Sequence, residues 1–171
     1  MNSPYMGKFK VTNTQTADHD GLDLVGIDSK EIHATVSGTV VFAGWENPQN
    51  EKQGFGQYVC IRGNDDRFYY YGHLSVINVK YGQAVKCTDV IGIEGNTGNS
   101  TGSHCHYCCR KQNSRGNAFD ISALSGIPNA LGTYDDGYRP GTSAGTQGTK
   151  KSLKVTVEFD DHTYSGLLEE Q

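Results

Sequence analysis

Several things are scarce in this chain. No stretch approaches the roughly twenty apolar residues that span a bilayer as a helix, and the first eighteen residues lack the apolar core of a secretory signal. The expectation is a chain made in the cytosol without a signal peptide and not held by a membrane. Lys and Arg number 15 against 19 Asp and Glu, a formal net charge of −4, so there is no basic stripe to attract nucleic acid. The five cysteines are odd in number and form no paired C-x-x-C motifs of the zinc-finger type, which argues against a disulfide framework. Free thiols packed as small hydrophobes in a reducing compartment are expected instead. Methionine occurs only twice against 22 glycines, and Val, Ile, Thr and Tyr are plentiful, so short strands and tight turns outweigh long helices. The fold class read from composition is mainly β.

At 171 residues the chain suits one domain with appendages. Residues 1–18 are polar and weakly patterned and read as an N-terminal arm with one strand at Lys8–Val11. A patterned domain follows from 19 to 128. Within it, Ile32 to Gly44 reads as two short strands hinged into a hairpin at Ser37-Gly38. Tyr58 to Arg62 and Phe68 to Leu74 flank a Gly-Asn-Asp-Asp turn at 63–66. Val79 to Val85 and Val90 to Glu94 repeat the pattern of strand, glycine turn and strand. A glycine-rich loop from Gly95 to Ser103 then leads into a strand at His104 to Arg110. Residues 129–151 have linker composition, and 152–171 alternate well enough for a short C-terminal hairpin or the start of a further module.

The chemistry concentrates in histidine and aspartate. His104 and His106 flank Cys105, and on a strand residues two apart share a face. His19 and Asp23 are separated by four, which again puts both on one face of an extended chain. His73 adds a fourth imidazole at the end of an aromatic strand. Such a set suits one zinc ion held by nitrogen and oxygen ligands, with histidines left over for acid–base work. A metallohydrolase needs three ligands and an open position, and His19, Asp23 and either His104 or His106 can supply them. There is no H-E-x-x-H helix, so a glutamate base of that type is excluded. The glycine-rich loop is not followed by Gly-Lys-Ser/Thr and leads into a strand, which argues against a phosphate cradle. His33 and His162 match no motif and read as surface or strand residues. Trp45 and the Tyr69–Tyr71 run read chiefly as packing, with ligand stacking as the other use.

Taken together and in order, His19-Asp20-Gly21-Leu22-Asp23, Tyr71-Gly72-His73-Leu74-Ser75 and Gly92 to His106 resemble the lysostaphin-like zinc endopeptidases, with their H-x-x-x-D, H-L-S and H-x-H motifs. The resemblance covers roughly residues 19–110. It implies zinc ligands His19, Asp23 and His106, a catalytic pair His73 and His104 in undecided roles, and bacterial peptidoglycan peptides as substrate. It also implies a small antiparallel, partly barrel-like β-sandwich of the duplicated hybrid type; a wall-lytic domain without a signal segment points to a phage-type lysin, released by a holin or carried on a virion, or to a chain trimmed of its leader. More weakly, Asn117 to Thr133 is similar to segments that follow the catalytic domain in phage and clostridial-type lysins. Two departures stand out: Cys105 replaces the leucine common between the two histidines, and Cys108 replaces an acidic residue often found two positions after His106. On a strand Cys108 shares the face of His106, so its thiolate could approach the metal, although a packed thiol is the plainer expectation. Carrier domains of related fold would need a modified lysine in a Met-Lys-Met turn, which is missing. The alternative function is a non-catalytic scaffold of the same fold that binds wall or activates amidases; such relatives lose site positions, and all five are present here.

Overall fold

Alternation of inward and outward residues along short strands decides the architecture. A computed structural model of the protein describes residues 2–113 and 116–137, together with the backbone of 153–159 and 162–168. In chain order its elements are β1 (Lys8–Asn13), β2 (Leu22–Gly26), β3 (Glu31–His33), β4 (Gly38–Trp45), β5 (Gln57–Gly63), β6 (Phe68–Gly72), β7 (Val76–Ile77), β8 (Ala84–Val85), β9 (Val90–Ile93), β10 (Cys105–Arg110), a short helix α1 (Ile121–Ser125) and β11 (Gly132–Asp135). Eight strands form one sheet in the order β11-β1-β2-β10-β6-β5-β4-β8, and β3-β9-β7 form a second. Every ladder is antiparallel, and the large sheet stays open, with β11 and β8 at its edges. Among the described residues no helix is long and apolar enough to cross a membrane.

The two faces of the large sheet do different jobs. One carries Phe9, Val11, Leu22, Leu24, Val59, Ile61, Tyr69, Tyr71, Cys105, Tyr107 and Cys109, packed with Ile32, Leu74 and Ile91 of the smaller sheet and its approaches into the main core. The other carries Cys60, Tyr70 and Cys108, covered by Phe42, Phe55 and Tyr58. The period of two therefore sends alternate β10 residues to the core and to the opposite face, where the histidines lie. Cys105 and Cys108, three apart in a C-x-x-C spacing, fall into different clusters for this reason.

Four expectations differ from the structure. Residues 1–18 are more than an arm: β1 lies between β11 and β2, and Tyr5, Phe9 and Val11 are fully buried. The strand at Lys8 is found and extends to Asn13. The Ser37-Gly38 segment does not close a hairpin, because β3 pairs with β9 whereas β4 pairs with β5 and β8. There the chain crosses between sheets, held by hydrogen bonds from Ala34 N–H to the Asp89 carbonyl and from Thr35 N–H to the Tyr71 hydroxyl. In the stretch expected to repeat a strand from Val79, only Ala84–Val85 is strand. The expected linker contributes β11, whose backbone pairs with β1 from Lys8↔Asp135 to Val11↔Gly132 although its side chains carry little apolar pattern. Residues 138–152 lie outside the described set. In a second compact unit, residues 140–171, strands β12 (Leu153–Phe159) and β13 (His162–Leu168) pair antiparallel from Leu153↔Leu168 to Phe159↔His162.

Candidate metal and catalytic centre

Three neighbouring strands set the centre of the site. Asp23 on β2 lies directly opposite His106 on β10, and Gly72 on β6 lies opposite His106 on its other side. His19 is not on a strand: it comes from the loop before β2, where Thr16 N–H donates to its carbonyl. The even spacing from His19 to Asp23 is therefore not what unites them. The loop curls under His106, which Gly21 permits: a β-carbon there would lie 2.4 Å from the Tyr107 carbonyl oxygen and 2.9 Å from His106 Nε2. His73 follows β6 in the left-handed region, φ 63°, with its N–H donating to the Phe55 carbonyl. His104 bridges to Gly95 at the mouth of the glycine-rich loop.

The proton inventory of the rings shows what the site can hold. His19 Nδ1 lies 2.8 Å from the Thr14 carbonyl and must carry its proton there, leaving Nε2 as a lone pair 3.1 Å from Asp23 Oδ1. His106 Nε2 lies 3.1 Å from Asp20 Oδ1, and its Nδ1 lies 2.9 Å from Asp23 Oδ1. With one proton on each ring, two nitrogen lone pairs and a carboxylate oxygen converge, an arrangement that repels itself unless a positive charge sits among them. A divalent metal ion fits this donor set. Ligands at about 2.0–2.1 Å in tetrahedral array stand roughly 3.3 Å apart, close to the spacings from Asp23 to its two neighbours, and all three donor atoms lie within 4.8 Å of one another.

Without a metal, protons fill the same role. Hydrogen bonding to Asp23 holds the His19 imidazole above its ordinary pKa, against burial. Burial would lower His106, but hydrogen bonds with Asp20 and Asp23 outweigh it and push that ring well up. Burial raises the Asp23 carboxyl, yet the His106 and His19 contacts hold it far below the usual range.

His73 and His104 stand beside this set with ring centroids 4.6 Å apart. His73 Nδ1 donates to the Thr97 carbonyl at 2.7 Å, and His104 Nδ1 to the Gly102 carbonyl at 2.8 Å, so Nε2 is the free nitrogen of each. His104 Nε2 lies 3.5 Å from Asp23 Oδ1. Burial, with the neighbouring His104, takes the His73 pKa down to about 4, which leaves that imidazole neutral and proton-accepting at pH 7. All five predicted side chains thus line one cleft of about 720 Å³, along with Asn13, Glu46, Asn99, Ser100 and Thr101.

Sequence reasoning missed Asp20, Arg110 and Phe55. Asp20 Oδ2 accepts from Arg110 Nε at 2.8 Å and Nη2 at 2.6 Å, and the Arg110 guanidinium stacks 5.1 Å from the Phe55 ring centroid. Phe55 lies 5.3 Å from the His106 ring. Arg110 was detectable from its even spacing to His106, whereas Asp20 and Phe55 sit on loops without periodicity. Cys108 is fully buried in the Cys60–Tyr70 cluster, and its sulfur lies within 4.8 Å of a His106 nitrogen and an Asp20 oxygen. The Arg110 guanidinium already neutralises that carboxylate, so this second group has no need of a cation.

The family model for peptidase family M23 matches residues 17–119. Glycyl-glycine endopeptidase ALE-1 from Staphylococcus capitis is 32% identical over 151 residues, covering 84% of this chain and 40% of that protein. Lysostaphin from Staphylococcus simulans is 38% identical over 90 residues, covering 52% of this chain and 17% of that protein. The chain thus spans two fifths or less of the length of these relatives. Among solved structures, the catalytic domain of lysostaphin from S. simulans superposes with a TM-score of 0.57 at 30% identity, covering 69% of this chain and 90% of the other. The catalytic domain of the prophage-encoded M23 protein EnpA from Enterococcus faecalis gives 0.56 at 28% identity, covering 70% and 94%. The matched segment contains every histidine and aspartate of the cleft described above, and the chain belongs to peptidase family M23.

Proposed function

We propose that this chain is a zinc-dependent endopeptidase that hydrolyses peptide bonds in bacterial peptidoglycan. One observation carries the reading: the lone pairs of His19 Nε2, His106 Nδ1 and Asp23 converge beside two imidazoles whose Nδ1 protons are already committed to carbonyls. When bound, zinc supplies the positive charge that lowers the pKa of water towards about 7 and polarises a carbonyl. His19, Asp23 and His106 would hold it. Nε2 of one of His73 and His104 accepts a proton from the attacking water and returns it to the leaving amine as the C–N bond breaks, and the other ring, when protonated at Nε2, steadies the oxyanion. Asn13, Asn99, Ser100 and Thr101 bring amide and hydroxyl groups to the cleft that suit an extended peptide backbone.

ALE-1 is named a glycyl-glycine endopeptidase, which makes glycine cross-bridges the first substrate to try. Similarity to a prophage-encoded domain supports a phage-type lysin that reaches the wall after release. Metal-replete protein incubated with walls of several cross-bridge types releases free amines and lowers turbidity, and mass spectrometry of the muropeptides identifies the bond cut. His106→Ala loses zinc and activity together, whereas His73→Ala keeps zinc and loses about 10²–10⁴-fold in rate. No amine release on any wall, with His106→Ala binding zinc as tightly as wild type, would overturn the reading.

A further inference from the structure

We propose that Asp20 is a positioning residue for the metal centre, fixing the tautomer and orientation of His106 from the outer side of its ring; the inference rests on the metal reading above. His106 can offer Nδ1 to a cation only while its proton stays on Nε2, and Asp20 Oδ1 receives that proton's hydrogen bond at 3.1 Å. The carboxylate is itself anchored. Its other oxygen accepts two charge-assisted bonds, from Arg110 Nε at 2.8 Å and Nη2 at 2.6 Å. Arg110 is pinned in turn between aromatic faces, 5.1 Å from the Phe55 centroid and 4.7 Å from that of Tyr70. Swinging Asp20 inward to the metal would break both bonds to Arg110, so it stays outside the ligand set.

The four site imidazoles differ in this respect. His19, His73 and His104 each turn Nδ1 to a backbone carbonyl, of Thr14, Thr97 and Gly102 respectively. Only His106 among them has a carboxylate on its outer nitrogen, and a carboxylate makes an imidazole a more basic and better-oriented ligand than a neutral carbonyl does. The Cys108 sulfur comes within 4.8 Å of the same groups, but a thiol is a weak acceptor and cannot substitute for the charge.

The test uses the full chain carrying Asp20→Ala or the isosteric Asp20→Asn. Zinc affinity is read by chelator competition, and geometry by the visible absorption bands of the cobalt-substituted protein. Asp20→Ala is expected to weaken zinc by about 10–100-fold and to shift the cobalt bands. Asp20→Asn keeps an oxygen for the Nε2 proton but loses the charge, so it falls between wild type and Ala. A role confined to stability would lower the melting temperature without moving either metal readout. Zinc affinity within twofold of wild type and unchanged cobalt bands in Asp20→Ala overturn the positioning role; if that variant does not fold, the same result in Asp20→Asn overturns it. A wild-type chain that binds neither zinc nor cobalt overturns the metal reading itself.

Discussion

His73 holds a backbone conformation that costs a residue with a β-carbon about 1–2 kcal/mol, at φ 63°. Its N–H bond to Phe55 and its ring bond to Thr97 keep it there. Comparing His73→Gly with His73→Ala isolates the strain. Both variants lose turnover, and the glycine variant is expected to be about 1–2 kcal/mol more stable to urea than the alanine variant; equal stabilities would refute the strain. The ligand histidines give a second outcome. Both His19 and His106 are raised in the metal-free protein, so protons compete with metal from above the ordinary imidazole range downward. Zinc affinity should fall as pH drops towards and through the ordinary imidazole pKa near 6.5, with the onset displaced upward, and an affinity unchanged down to about pH 5 would contradict imidazole ligation.

Between elements, the decisive contacts are close approaches and one buried carboxylate. Gly21 brings the loop before β2 against β10, and a β-carbon there meets the Tyr107 backbone and the His106 ring. Gly21→Ala is expected to destabilise by about 1–3 kcal/mol and to weaken zinc binding, measured by denaturation and chelator competition. Glu94 ties separate parts of the fold. It accepts from the Tyr5 hydroxyl at 2.5 Å, Gly26 N–H at 2.8 Å, Lys30 Nζ at 2.8 Å and the Ser103 hydroxyl at 2.6 Å, the last beside His104. Burial pushes this carboxyl up, and the Lys30, Ser103, Tyr5 and Gly26 bonds together hold it below its ordinary pKa. Its contribution is therefore whole above about pH 4.3, where an unfolded glutamate titrates, and is lost as pH falls through the lower folded value. Glu94→Gln should cost about 1–3 kcal/mol at neutral pH, with the deficit narrowing on acidification. A deficit that stayed constant down to pH 3 would show that charge is not involved.

For the molecule as a whole, the large sheet needs its N-terminal strand. β1 joins β11 to β2, and Tyr5, Phe9 and Val11 are fully buried. Each such side chain contributes about 1.5–3 kcal/mol to a net stability that for a domain is only about 5–15 kcal/mol. A chain starting at His19 is expected to show no cooperative thermal unfolding by circular dichroism; a sharp transition would mean that β1 is dispensable.

The mainly β class and several strands were legible from local spacing, whereas the five site side chains stood out through the order of their motifs, since His19 is held by a loop and spacing alone left His104 and His106 as alternatives. Two residues per strand repeat put His106 on one face, and the glycine-rich run before it signalled a turn. What required the tertiary structure is everything carried by contacts between distant segments. The register that sets Asp23 opposite His106, the transfer of the chain between sheets at Ala34–Ser37, and the joining of β1 to β11 leave no trace in periodicity. Asp20 is the sharpest instance: a polar loop residue in sequence becomes the outer partner of His106 only when β10 is packed against the loop, 86 positions away. Local stereochemistry decides which way a side chain points along a strand, whereas the partner it meets depends on which strands pair, a choice made by burial of the whole core at once.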